Sequence, residues 1–177
     1  MIPGAEPRIR TCYLKPGEIH LTSAPSLITT VLGSCLSVTM HHRATGMSAI
    51  CHAVMPSIAK DRNGAKEAVF QYVDSSLQWM LDQYTARGIR MSDIEVKMFG
   101  GAAIFQETGS LGRDMNIGKR NVEAALAFLN KHRISLKAWS VGGNLGRKLI
   151  FNTSTGEVLA KFISRTEMPP TGCGGKK

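Results

Sequence analysis

Apolar and polar residues alternate from Leu36 to His41, with Leu36, Val38 and Met40 on one side and Ser37, Thr39 and His41 on the other. A period of two marks a half-buried β-strand. Arg43 to Gly46 reads as a hairpin turn, and Met47 to Val54 as the return strand, stopped by Pro56. Both faces of that return strand are small or apolar, which predicts an internal strand. Leu27 to Leu32 and Glu18 to Leu21 read as further strands, and a short extended piece ends in the turn around Lys15-Pro16-Gly17. From Ala65 the period changes: Val69, Val73, Leu77, Met80, Leu81 and Tyr84 recur at three- and four-residue steps, predicting an amphipathic helix capped near Gly88. Ile94 to Phe99 is the next strand, running into Gly100-Gly101. A second helix is expected over Ile117 to His132, its buried stripe being Val122, Ala125, Leu126 and Leu129. Ser135 to Val141 reads as a strand, and Arg147 to Phe151 with Glu157 to Ile163 as a hairpin. Hairpins bracket the chain and crossover helices sit in its middle. This order predicts an α+β fold: mixed β-sheets packed as a sandwich, flanked by helices. Residues 1–165 are expected to form a single domain and the Pro/Gly-rich residues 166–177 a disordered tail.

Composition narrows the setting. No run of about 18 apolar residues occurs, so no membrane span or insertion is expected. The first ten residues lack the apolar core of a signal peptide, which predicts a cytoplasmic protein. The net charge of +9 favours polyanions or acidic protein surfaces. The basic residues are spread along the chain, with no dense basic run or aromatic-studded motif, so nucleic acid is not the expected partner.

The candidate chemistry sits in residues 27–56. Four cysteines, Cys12, Cys35, Cys51 and Cys173, match neither a disulfide framework nor a paired zinc pattern. Cys35 stands apart because Gly33 and Ser34 precede it. Small residues there let the chain turn sharply, expose the sulfur and present N–H groups as an oxyanion hole. A thiol is mostly protonated near neutral pH and needs a base to become a strong nucleophile. His52 on the return strand is placed to serve, since an imidazole in an apolar strand needs a partner or a purpose. His41 and His42 flank a turn and are expected at the surface. Thr29 or Thr30 supplies a hydroxyl that could fix the tautomer of His52, and strand parity mildly favours Thr29. Cys35, His41, Cys51 and His52 lack the spacing of a zinc site. The glycine clusters at 100–101 and 142–146 match no phosphate-binding loop, so no metal or organic cofactor is expected.

Five segments in register resemble the chemoreceptor glutamine deamidases of bacterial and archaeal chemotaxis, the CheD family. They are Leu32-Gly33-Ser34-Cys35; Gly46-Met47 through His52 to Met55-Pro56; Lys97-Met98-Phe99-Gly100-Gly101-Ala102; Ile117-Gly118-Lys119-Arg120-Asn121; and Gly142-Gly143-Asn144-Leu145-Gly146-Arg147. The resemblance implies a cysteine hydrolase that converts glutamines of methyl-accepting chemotaxis receptors to glutamate and releases ammonia. It carries the catalytic roles to Cys35, His52 and Thr29, with Thr30 as competitor. It also implies a fold like that of a toxin deamidase, a CheC-type phosphatase as a possible partner, and receptor methylesterase activity in some members. The alternative it leaves is a catalytically silent chemotaxis adaptor that binds the phosphatase or the receptors.

Overall fold

The computed structural model describes residues 9–57, 70–103 and 116–167. In chain order the elements are β1 (Arg10–Tyr13), β2 (Ile19–Thr22), β3 (Ser26–Leu32), β4 (Leu36–His42), β5 (Met47–Cys51), α1 (Val73–Thr85), β6 (Ile94–Gly100), α2 (Ile117–Lys131), β7 (Leu136–Val141), β8 (Gly146–Asn152) and β9 (Val158–Ile163). They form two mixed sheets: a four-stranded one in the order β1-β3-β8-β9 and a five-stranded one in the order β2-β5-β4-β6-β7. β1 runs parallel to β3, and β6 parallel to β7 with α2 as the crossover between them; the other pairs are antiparallel.

The predicted α+β class holds, and the periodicities explain the layers. Leu36, Val38 and Met40 of β4 join Ala49 and Cys51 of β5 on one face of the five-stranded sheet. There they pack against Leu77, Met80 and Tyr84 of α1 and Ala125 and Leu129 of α2. Tyr84 adds two hydrogen bonds, its hydroxyl lying 2.7 Å from the Met40 carbonyl and 3.2 Å from that of Met47. The opposite face is the surprise. Ser37, Thr39 and His41, read as the exposed side of a half-buried strand, are buried. The four-stranded sheet covers them, with Ile28 and Phe151 packing on Ile50. His41 is satisfied there by its neighbours: its Nδ1 lies 2.8 Å from Ser48 Oγ, which donates to the Thr153 carbonyl, whereas Ser37 Oγ is buried without a hydrogen-bond partner among the described residues. The expectation of a solvent-exposed His41 is therefore corrected.

The layer order is helices, five-stranded sheet, four-stranded sheet. Among the described residues the helices cover one side only, rather than flanking the sandwich on both. The first predicted helix starts at Val73; its predicted beginning from Ala65 to Val69, the leader 1–8 and most of the tail lie outside the described residues.

Candidate active site

β4 and β5 carry Cys35 and His52 to the same end of their ladder. Thr39 pairs with Ile50, and the same register continues to a last bridge in which Leu36 and Ala53 exchange hydrogen bonds of 2.9 and 2.8 Å. Cys35 precedes one bridge residue and His52 precedes the other. They are diagonal neighbours across the two strands, a relation that spans roughly 7–8 Å between backbone positions and lies within side-chain reach. Both turn toward the four-stranded sheet: Cys35 packs beside Leu32, Phe99 and Leu149, and His52 bonds to β3.

Past that bridge the ladder opens. The next rung would join Ser34 to Met55, but the Val54 and Met55 N–H groups both go to the Gln71 carbonyl, and Met55 accepts from Val73. The Gly33-Ser34-Cys35 turn is held from elsewhere. The Gly33 carbonyl accepts from Ala102 N–H at 2.9 Å and the Cys35 carbonyl from Gly101 N–H at 2.8 Å. The Ser34 carbonyl accepts from the Asn121 side chain at 3.0 Å. Three successive carbonyls are thus anchored. In a trans peptide the N–H points opposite to the C=O, so the Ser34 and Cys35 N–H groups face away from these anchors. Among the described residues neither has a carbonyl partner.

The double glycine at 100–101 is the back wall of this turn. Gly100 has φ 107°, and a Cβ there would lie 2.3 Å from the Cys35 carbonyl oxygen. Gly101 at φ 64° leaves no room either, its Cβ position being 2.4 Å from Val122 Cγ2. Arg147 secures the neighbouring loop. It is buried and donates to the Gly142 carbonyl at 2.9 Å, the Leu145 carbonyl at 3.3 Å and Ser140 Oγ at 3.0 Å.

His52 is almost wholly buried, and its two ring nitrogens differ in a way that sets its role. Nδ1 lies 2.8 Å from Thr30 Oγ1. That hydroxyl donates its one hydrogen to the Leu14 carbonyl, also at 2.8 Å. Thr30 Oγ1 must then accept, so Nδ1 carries the ring proton and Nε2 keeps its lone pair. Nε2 is buried without a hydrogen-bond partner among the described residues. Burial pushes the His52 pKa down to about 4, opposed by the Leu14 carbonyl and the Glu18 carboxylate, so the ring is a neutral base at pH 7. Burial likewise pushes the Cys35 thiol up to about 11, its own N–H pulling the other way. At neutral pH the thiol and the imidazole therefore both rest uncharged.

Of the two threonines, Thr30 and not Thr29 meets His52. On β3 the even-numbered residues from Ser26 to Leu32 are buried between the sheets and the odd-numbered ones are only partly so. Thr29 points outward, donates to the Cys12 carbonyl at 3.3 Å and lines a groove with Tyr13, Val31 and Lys148. Parity counted from Cys35 misleads because the turn at Gly33-Ser34 does not keep the strand's alternation. Sequence reasoning also gave no role to Asn121, Gly100 or Arg147. They were visible only as members of recurring motifs, and their contacts join segments far apart in the chain. Cys51 faces the helices, on the other side of the sheet from His52.

A family model described as CheD chemotactic sensory transduction matches residues 54–162. The chain is 44% identical over 161 residues to a probable chemoreceptor glutamine deamidase CheD 2 of Geobacter sulfurreducens, covering 91% of this chain and 95% of that protein. It is 40% identical to a probable chemoreceptor glutamine deamidase CheD of Nitratidesulfovibrio vulgaris (91% and 81% covered) and 36% identical to one of Maridesulfovibrio salexigens (93% and 98%). The family model begins beyond His52. A 161-residue match within 177 residues cannot miss the cysteine turn.

Proposed function

Because the chain belongs to the CheD family of chemotactic sensory transduction, we propose that it is a chemoreceptor glutamine deamidase using Cys35 as nucleophile, His52 as base and Thr30 as orienter. The observation that carries the assignment is the buried lone pair of His52 Nε2, fixed by the Thr30–Leu14 relay on the face that Cys35 shares.

The proton inventory shapes the mechanism. Values near 11 and 4 put a thiolate–imidazolium pair on the order of 10 kcal/mol above the neutral pair before the charges attract one another. Attraction at contact returns about 4 kcal/mol at an effective dielectric of 20. The remainder fits within the barrier of about 16 kcal/mol that corresponds to ten turnovers per second. The thiolate is therefore made on demand. His52 Nε2 takes the thiol proton as Sγ bonds to the carboxamide carbon of a receptor glutamine, and the carbonyl π electrons move to oxygen. The Ser34 and Cys35 N–H groups receive that oxyanion. As the carbonyl reforms, the C–N bond breaks, His52 gives its proton to the departing nitrogen and ammonia leaves. Water, deprotonated by His52, adds to the thioester; the C–S bond breaks, the thiol recovers its proton and glutamate remains.

The same reading includes one cysteine-hydrolase domain over residues 1–165, kinship with the toxin-deamidase fold, cytoplasmic action on receptors, and a CheC-type phosphatase as partner. No described helix is long and apolar enough to cross a membrane. The net charge of +9 suits docking to an acidic receptor surface. The test is mass spectrometry of a receptor signalling fragment incubated with the protein or with Cys35→Ala. The expected result is exchange of –NH2 for –OH at specific glutamines with the intact protein only. A receptor left unmodified by the intact protein, while its binding persists, would instead favour the silent adaptor.

A further inference from the structure

Asn121 lies in the first turns of α2 and is completely buried. Its Nδ2 donates both hydrogens, to the Ser34 carbonyl at 3.0 Å and the Val54 carbonyl at 2.9 Å. These two carbonyls lie on opposite arms of the hairpin beyond the last bridge, Ser34 two residues before Leu36 and Val54 one residue after Ala53. The carboxamide thus bridges the two arms beside the missing Ser34–Met55 rung, at the level of Cys35. The carbonyl it grips on the β4 side shares a peptide plane with the Cys35 N–H.

We propose that Asn121 is the positioning residue of the oxyanion hole: by gripping the Ser34 carbonyl it aims the Cys35 N–H at the oxygen of the tetrahedral intermediate. This rests on the deamidase reading. Gly101 and Ala102 anchor the neighbouring carbonyls through backbone N–H groups, so Asn121 is the side chain on which this peptide depends. Without it the Ser34–Cys35 peptide is free to rotate or to rejoin the ladder, and the N–H leaves its aim. Sulfur reactivity that needs no oxyanion is spared, because the His52 relay runs through Thr30 and Leu14 on the other side.

The experiment compares Asn121→Ala with wild type in two reactions. Receptor deamidation should lose kcat by about 100-fold with little change in KM, the range for losing one oxyanion donor. Alkylation of Cys35 by iodoacetamide, a displacement at carbon that develops no oxyanion, should stay within a few-fold of wild type. A deamidation kcat within a few-fold of wild type overturns the proposal. So does a parallel loss of both reactions, which marks a general structural role. A second measurement needs no variant. A peptide carrying a side-chain aldehyde in place of the glutamine carboxamide adds to Cys35 as a hemithioacetal, and the backbone N–H of Cys35 in ¹⁵N-labelled wild type should then shift downfield while the Asn121 side-chain amide signals stay in place. A Cys35 signal that does not move on adduct formation refutes the inference. Failure of wild type to modify any receptor glutamine would sink the deamidase reading itself, whereas wild-type turnover with an unimpaired Asn121→Ala sinks only this step.

Discussion

Replacing Thr30 by Val keeps the shape of β3 and deletes the one atom that links His52 to Leu14. In the native protein the Thr30 oxygen sits 2.8 Å from both His52 Nδ1 and the Leu14 carbonyl, and it is fully buried. Valine leaves a buried carbonyl and a buried N–H without that bridge. An unsatisfied buried group costs about 1–3 kcal/mol, so urea or thermal unfolding should show a loss of that size. The effect on rate follows from the tautomer. A wrong tautomer in a serine-protease triad costs about 10⁴ in kcat; here the Leu14 carbonyl stays nearby as a second acceptor, so a loss of about 100-fold is expected. Thr29→Val is the internal control. Its partly buried hydroxyl makes a single 3.3 Å bond to Cys12, so stability should change by no more than about 0.5 kcal/mol and receptor deamidation not at all. A folded Thr29→Val that is inactive beside an active Thr30→Val would refute the reasoning.

Acid should destabilise the protein in a defined window. His52 titrates near 4 when folded and near 6.5 when unfolded, so between those values the unfolded chain binds more protons. Stability is full above pH 6.5 and falls by roughly 3 kcal/mol as pH drops through 4, seen as a slope in urea midpoints that His52→Gln flattens. Gly100→Ala should push the Cys35 carbonyl off its place, since the new Cβ would start 2.3 Å from that oxygen; kcat should drop by about 100-fold in steady-state assays while the far-UV spectrum stays native. Tyr84→Phe removes the hydroxyl that ties α1 to the Met40 and Met47 carbonyls and should cost about 1–3 kcal/mol in unfolding with kcat unchanged.

The chain made its strands and second helix legible because their apolar positions repeat at fixed steps. β3, β4, β6, β7, β8 and α2 fall within a residue or two of where periodicity puts them. That neither face of β4 meets solvent was not legible, since Ser37, Thr39 and His41 look alike whether they face water or a second sheet. The cysteine turn announced itself through Gly33 and Ser34, and His52 through its apolar strand. The choice of threonine did not, because parity carries no information across a turn. Asn121 acts at a distance of 87 residues from Ser34, and nothing local reports such a contact.

The central claim is covalent, and a single turnover tests it. Wild-type protein mixed with a receptor fragment and quenched in acid within one turnover should yield, on peptide mapping, Cys35 joined to a receptor glutamine as a thioester with ammonia lost. Conversion of the receptor at the normal rate with Cys35 free at every time point, and with Cys35→Ala equally active, would contradict it.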